Sequence, residues 1–289
     1  MQGPQARMLP DGRRLHLQHG PIDLVIEAFA GERKEIATAY AQIWARFQTV
    51  LDSLVEELPG LRQSVGRDYP EFAGPIARRM AAAVYPHAKV FITPMAAVAG
   101  AVADETMAAM IAGRDLERAY VNNGGDIALY LSAGQSFRAG VVDDQDHPSL
   151  NAVASVASSD PVRGIATSGW RGRSQSLGIA DAVTVLAADA AAADAAATLI
   201  ANAVNVDHPG IERRPAREVK DDSDLGDLPV TVAVPRLTVS AVENALAAGV
   251  AVAEAMREAG LIHAAYLSLQ GRSCVAGPVG RTIAREALT

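Results

Sequence analysis

Hydrophobic and polar residues alternate from Leu15 through Leu17, Ile22 and Leu24 to Ile26, around the breaker His19-Gly20-Pro21. That period of two predicts a β-hairpin. The pattern then changes. Ile36, Tyr40, Ile43, Phe47, Val50, Leu54 and Leu58 recur at threes and fours, which predicts a helix from Glu32 to Leu58, stopped by Pro59-Gly60. Phe72, Ile76, Met80 and Val84 predict a second helix from about Pro70 to Val84. Lys89 to Thr93 reads as a buried strand. Thr93 and Pro94 then read as the cap and first position of a helix carrying Met95, Val98, Val102, Met107 and Met110.

Beyond it, Arg118 to Tyr130 predicts strand, turn and strand about Asn122-Asn123-Gly124-Gly125. Phe137 to Val142 is a further strand. Val153 to Ala157 and Arg163 to Thr167 read as a strand pair. Asp181 to Ala187 is a strand that leads into an alanine-rich helix. On that helix Asp194, Thr198 and Asn202 lie four apart and form one polar stripe. His208 to Pro229 is polar and rich in breakers, the pattern of a long surface excursion. Val230 to Val234 is a strand. Ser240 with Glu243 makes a capping box for a helix to about Ala259, ended by Gly260. His263 to Gln270 is a strand, and Gly271 to Gly280 a loop.

Hairpins mixed with long helices predict an α+β fold of antiparallel sheets and long packed helices. A long helix with strands in 12–142 is followed by strands with long helices in 151–276, which suggests an internal duplication. The expectation is one domain over 12–289, built of two similar lobes at about 12–150 and 151–280, with 1–11 as a tail.

Composition narrows the class. Hydrophobic residues make up 49% and charged residues 20% of 289, which is globular. The net charge of -7, with no basic run, argues against nucleic acid or an anionic membrane as partner. The one cysteine, Cys274, excludes an internal disulfide and reads as a structural thiol of a cytoplasmic protein. No apolar leader opens the chain, and the longest apolar runs, such as Met95 to Ala103, are short of a membrane span. The small apolar helix faces suit a homo-oligomer.

Several residue sets carry candidate chemistry, each beside a structural alternative. The Asn123-Gly124-Gly125-Asp126 turn is either a hairpin turn or a backbone nest for a phosphate or ring. Asp194 and Thr198, one turn apart, are either ligands of a hard cation such as Mg²⁺ or part of a helix–helix hydrogen-bond network. The Pro94 helix start either packs on a sheet or faces a phosphate. Asp104 and Glu105 are exposed or metal-facing. Asp143, Asp144, Asp146 and His147 form a solvated acidic loop or a metal loop. His16 and His19 read as hairpin-packing residues.

Three segments together resemble the ApbE-like superfamily: VNNGGDIALY (121–130), ATSGW (166–170) and ADAVTVLAADAAAADAAATLIANAV (180–204). HLQHGPIDL and FITPMAAVAGAVADE are similar to the branch of that superfamily that is distinct from the FAD:protein FMN transferases and has no settled activity. The resemblance implies a T-fold-like architecture. It implies FAD or FMN at Asn123, Gly124, Gly125, Asp126, Thr167, Ser168 and Gly169, and Mg²⁺ at Asp194 and Thr198. A phosphate-bearing ligand is the implied partner. The superfamily's transferases move FMN from FAD onto a protein threonine and carry an HxIDP element after the TSG turn. Here Trp170 to Ala180 holds no histidine. An FMN transferase and a non-catalytic accessory protein in sulfur (homocysteine) or cofactor metabolism remain the alternative functions. No catalytic residue is assigned.

Overall fold

A computed structural model describes residues 3–142, 150–172, 174–278 and 283–285. In chain order its first elements are the strands β1 (Gln5–Met8), β2 (Leu15–His19) and β3 (Ile22–Phe29). Four helices follow, α1 (Arg33–Phe47), α2 (Val50–Leu61), α3 (Pro75–Val84) and α4 (Val98–Ile111). Then come β4 (Arg118–Asn123), β5 (Asp126–Leu131), β6 (Ser136–Val142), β7 (Leu150–Ala157), β8 (Gly164–Ser168), β9 (Ala182–Ala187) and helix α5 (Ala190–Ala203). The rest is β10 (Glu212–Pro215), α6 (Ala216–Val219), β11 (Pro229–Ala233), α7 (Val239–Glu258), β12 (Ala264–Leu269), β13 (Arg272–Ala276) and β14 (Ile283–Arg285). The architecture is α+β with antiparallel pairing, as the pattern predicts.

Two compact units share the chain. The first takes Met1–Ser136, Ala157–Ala166 and Ala188–Ala195. The second takes Phe137–Val156, Thr167–Ala187 and Ala196–Thr289.

In the first unit the strands run β1-β2-β3-β4-β5, with the start of β8 on β5. Register sets what faces the helices. Leu15 pairs with Ile26, Ile26 with Val121, and Val121 with Ala128, all of them buried. The next row is Leu17, Leu24, Asn123 and Asp126. Side chains in one cross-strand row share a face. The turn's Asn123 and Asp126 therefore lie on the same side of the sheet as the apolar core.

Helix α4 packs on β4 and β5. Gly100, Ala101, Val102, Ala103, Thr106, Met107 and Met110 on it are buried, as befits a central helix. At Gly100 it meets the start of α5. A Cβ on Gly100 would lie 2.2 Å from the Ala190 carbonyl oxygen and 2.7 Å from the Ala191 nitrogen. Glycine is required there because the two backbones touch.

In the second unit the end of β8 lies beside β9, followed by β12 and β13. β14, β7 and β6 form a second sheet, and β10 pairs with β11. Helix α7 packs on β12 and β13 through Val242, Leu246, Gly249, Ala253 and Met256. It is long and apolar enough by length and composition to cross a membrane. The buried face gives that composition a use within the fold.

Several sequence expectations change. The first helix is two, broken at Gln48-Thr49, where Thr49 takes φ -110° and ψ 0°. Pro59 does not stop α2, because in the last turn it removes a single helical hydrogen bond and the helix ends two residues on. The second helix begins at Pro75, where Glu57 accepts from the amides of Ala73 and Gly74 at 2.8 Å. Lys89 to Thr93 is not a strand: Val90 and Phe91 are exposed, and among the described residues no strand pairs with them. Thr93 precedes a 3₁₀ turn, Pro94–Ala97, and makes no side-chain cap. β7 and β8 are strands but not partners of one another; β7 pairs with β6 and β14, and β8 with β5. The 208–229 excursion contains β10 and α6, because β11 offers β10 a pairing edge. The α7 cap is Thr238, whose hydroxyl accepts from Ala241 N at 3.3 Å, and Glu243 instead pairs with Arg272. Cys274 lies on β13 rather than in a loop. Gln5 to Met8, expected as tail, pairs with β2.

Gly100→Ala is expected to destabilise the protein by about 3 kcal/mol or more, because the added methyl meets backbone and not a movable side chain. Gly31→Ala, with open space around it, is expected to stay within about 0.5 kcal/mol. Urea midpoints of the two variants check this.

Candidate functional site

The first unit brings three sequence motifs together at the start of α4. The β4–β5 turn places Gly124 at φ 65° and Gly125 at φ 114°, backbone that favours glycine. Asn122 Oδ1 accepts from Gly125 N at 2.8 Å and fixes the turn. Asn123 donates its side-chain amide to the Ala99 carbonyl at 3.1 Å, tying the turn to α4. Asn123 and Asp126 are both buried.

Asp194 reaches the same place from α5. Its Oδ2 accepts from Gly100 N at 3.0 Å, and the amide of Ala99 donates to it as well. Those are orphan donors of the α4 N-terminus, where a negative charge is favoured. The expected phosphate position at this helix start is thus filled by the chain's own carboxylate. Asp104 does the reverse. From α4 it accepts from Ala190 N at 3.0 Å and Ala191 N at 2.9 Å, the first amides of α5. Asp189 completes that cap on Ala192 N at 2.7 Å. The two helices exchange carboxylate caps.

The charges are costly where they sit. Burial, then the Asp126 carboxylate, push Asp194 well above the usual carboxylate range, while the Gly100 and Ala99 amides pull it back. Burial and the Asp189 charge raise Asp104 to about 6. Glu105 is not metal-facing: Arg46 and Arg79 hold it at 3.1 and 3.0 Å. Among the described residues no group of three or more His, Cys, Asp or Glu is placed to hold a metal ion.

The other motif residues lie in the second unit. Thr198 is half-buried on α5, one turn after Asp194. Asn202 ends the polar stripe by accepting from Ser176 Oγ and Leu177 N at 3.1 and 2.9 Å. Thr167 is exposed, its hydroxyl 2.8 Å from that of Thr184. Ser168 and Gly169 are buried, and a Cβ on Gly169 would lie 2.3 Å from the Asp181 carbonyl oxygen. Asp143, Asp144, Asp146 and His147 lie outside the described residues. His16 sits between Asp23 at 3.0 Å and Arg7 at 3.1 Å, and His19 is buried, both within the β2–β3 hairpin region.

The sequence reading missed Asp104 as a cap and did not use Asp181 or Asp189. Asp189 had a signal, an aspartate directly before an alanine-rich helix. Asp104 had none, since its partners are 86 and 87 residues away.

The sequence model of a family described as AbpE bacteria matches residues 6–275. The chain belongs to this family. A UPF0280 protein of Methanopyrus kandleri is 35% identical over 209 residues, 71% of this chain and 80% of that one. A UPF0280 protein of Methanosphaerula palustris is 33% identical over 199 residues, 65% and 80% of the two chains. The structure of the flavin transferase ApbE from Vibrio cholerae matches with a TM-score of 0.50 at 13% identity, over 94% of this chain and 98% of that one. That likeness establishes the fold. The resemblance carried by the GGD turn, the TSG turn and the α5 stretch therefore holds for this AbpE-family chain.

Moving a carboxyl from 3.8 to about 6 corresponds to on the order of 3 kcal/mol. The penalty is absent below the ordinary value, grows as pH rises, and is complete above about 6. Asp104→Asn removes the charge and leaves one carbonyl oxygen for two amides. The stability advantage of the native residue over the variant is expected to shrink by roughly 2–3 kcal/mol between pH 4 and pH 7.5. Urea unfolding of both proteins across that range is the measurement, and a constant difference would show Asp104 unperturbed.

Proposed function

We propose that this chain binds a phosphate-bearing ligand of the flavin-nucleotide class together with a divalent cation. The observation that carries the reading is the Asp126–Asp194 pair beside the glycine turn and the start of α4. Asp126 raises the pKa of Asp194. Carboxylates that raise one another's pKa favour a shared proton or a cation beside them. The donor set fits a hard cation: carboxylate oxygens from Asp126 and Asp194. Mg²⁺ takes few protein oxygens and completes its shell with water and ligand phosphate. When bound, such an ion neutralises and polarises the phosphate.

The chain's own groups divide the remaining work. Gly124 and Gly125 leave the turn backbone open to close approach. The amides of Ala99 and Gly100 hold Asp194 in place, and Asn123 fixes the turn to the same helix. Support for a flavin comes from the Vibrio cholerae relative in fold, a flavin transferase by name.

Transfer of the flavin to protein is not part of this reading. The 170–180 interval has no histidine, and its arginine and serine side chains are poor bases at neutral pH.

Melting curves with FAD, FMN and ADP, each with and without Mg²⁺, test the proposal. A ligand at about 100 times its Kd adds roughly 2.7 kcal/mol, a rise of several degrees. The rise is expected to need Mg²⁺ and to be lost or strongly reduced in Asp126→Asn. No rise with any ligand would remove the reading. Incubation with FAD, Mg²⁺ and a flavin-acceptor peptide is expected to leave the peptide without covalent fluorescence.

A further inference from the structure

The end of the first unit's sheet that carries the glycine turn carries a second turn as well. Leu24 pairs with Leu17 on one side and with Asn123 on the other. Gly20-Pro21 of the β2–β3 hairpin and Gly124-Gly125 of the β4–β5 hairpin therefore stand at the same end. Gly20, Pro21 and Gly124 are exposed. Directly before Gly20 lies His19, paired with Ile22 one row beyond Leu17 and Leu24. Its side chain is on the face that also holds Asn123 and Asp126.

His19 is 7% exposed, and its Nδ1 is sealed from solvent without a hydrogen-bond partner. His16, on the opposite face, shows the contrast. Its ring is bonded at both nitrogens, accepting from Arg7 Nε at 3.1 Å and facing Asp23 Oδ1 at 3.0 Å. A buried polar atom without a partner costs stability, and an apolar ring would pack in the same space without that cost. Packing therefore does not account for a histidine at this position.

With Nδ1 sealed, Nε2 is the nitrogen left for a ligand. An orphaned acceptor is better tolerated than an orphaned N–H. The sealed Nδ1 is thus assigned the lone pair and Nε2 the proton. The ring then offers a donor, and its partner is an acceptor. Asp126 lies three strands away along the order β2-β3-β4-β5, about 15 Å by strand spacing. One cation does not bridge that distance, but the two ends of one nucleotide do. We propose that His19 donates from Nε2 to a ring carbonyl oxygen of the ligand whose phosphate lies at the Asp126–Asp194 end. The histidine reads the ring, which the carboxylates and their cation do not. This rests on the ligand reading above and adds ring recognition to it.

His19→Phe and His19→Gln are titrated by calorimetry with FMN, ADP and inorganic pyrophosphate, all with Mg²⁺. His19→Phe is expected to weaken FMN by about 5- to 30-fold and pyrophosphate by less than about twofold. His19→Gln, which keeps a donor, recovers part of the loss. Without ligand, His19→Phe is expected to melt at or above the parent's temperature, because it removes the unpartnered nitrogen. Nitrogen-15 spectra of the parent give a reading that needs no variant to fold beyond His19→Gln, which assigns the signal by its loss. FMN is expected to shift Nε2 and to leave Nδ1 as an unprotonated nitrogen. Unchanged FMN affinity in His19→Phe, an Nε2 signal indifferent to FMN, or equal loss of FMN and pyrophosphate overturns this inference and leaves the ligand reading standing. So does a parent protein that binds ADP or pyrophosphate but not FMN. A parent that binds none of the three overturns both.

Discussion

The exchange of carboxylates between α4 and α5 is the constraint on which the first unit depends. Each helix starts with amides that have no partner inside it, and each start is covered by the other helix's aspartate. The exchange demands that the backbones touch, which Gly100 permits at Ala190. It also fixes what else lies there. Asn123 bonds to the same stretch of α4, so the glycine turn is drawn to the place where Asp194 arrives. A structural interlock and a candidate ligand site are therefore built from the same atoms. Charge is the tension in the arrangement: the carboxylates that cap the helices are raised by burial and by one another.

The second unit solves a different problem with the same chemistry. Asp181 gathers an indole, a guanidinium and a backbone amide, and Asn202 pins the segment at Ser176 and Leu177. Between these two anchors runs the 170–180 interval, which in this AbpE-family chain holds no histidine and is shaped by hydrogen bonds to aspartate and asparagine. The fold around it is shared with the Vibrio cholerae transferase.

The polar stripe on α5 shows how far local spacing carries. Asp194, Thr198 and Asn202 do share a helix face, as the interval of four requires. Asp194 and Asn202 do not share a partner. Asp194 serves the start of α4, while Asn202 serves the 176–177 segment. Spacing specified the face, and the surrounding chain assigned each residue its work.

Periodicity by itself determined the α+β class, the β2–β3 and β4–β5 hairpins, the alanine-rich α5 and the long α7, because each is set by contacts within a few residues. The ordered GGD, TSG and α5 motifs placed the chain in its family. Boundaries that depend on distant partners were not legible. Lys89 to Thr93 has strand composition but, among the described residues, no strand to pair with, and Gln5 to Met8 has a partner that no local pattern announces. Asp104 is an ordinary helix residue until α5 arrives 86 residues later. A helix face or a turn is decided by neighbours along the chain. A cap, a pairing edge or a raised carboxylate is decided by what folding brings across it.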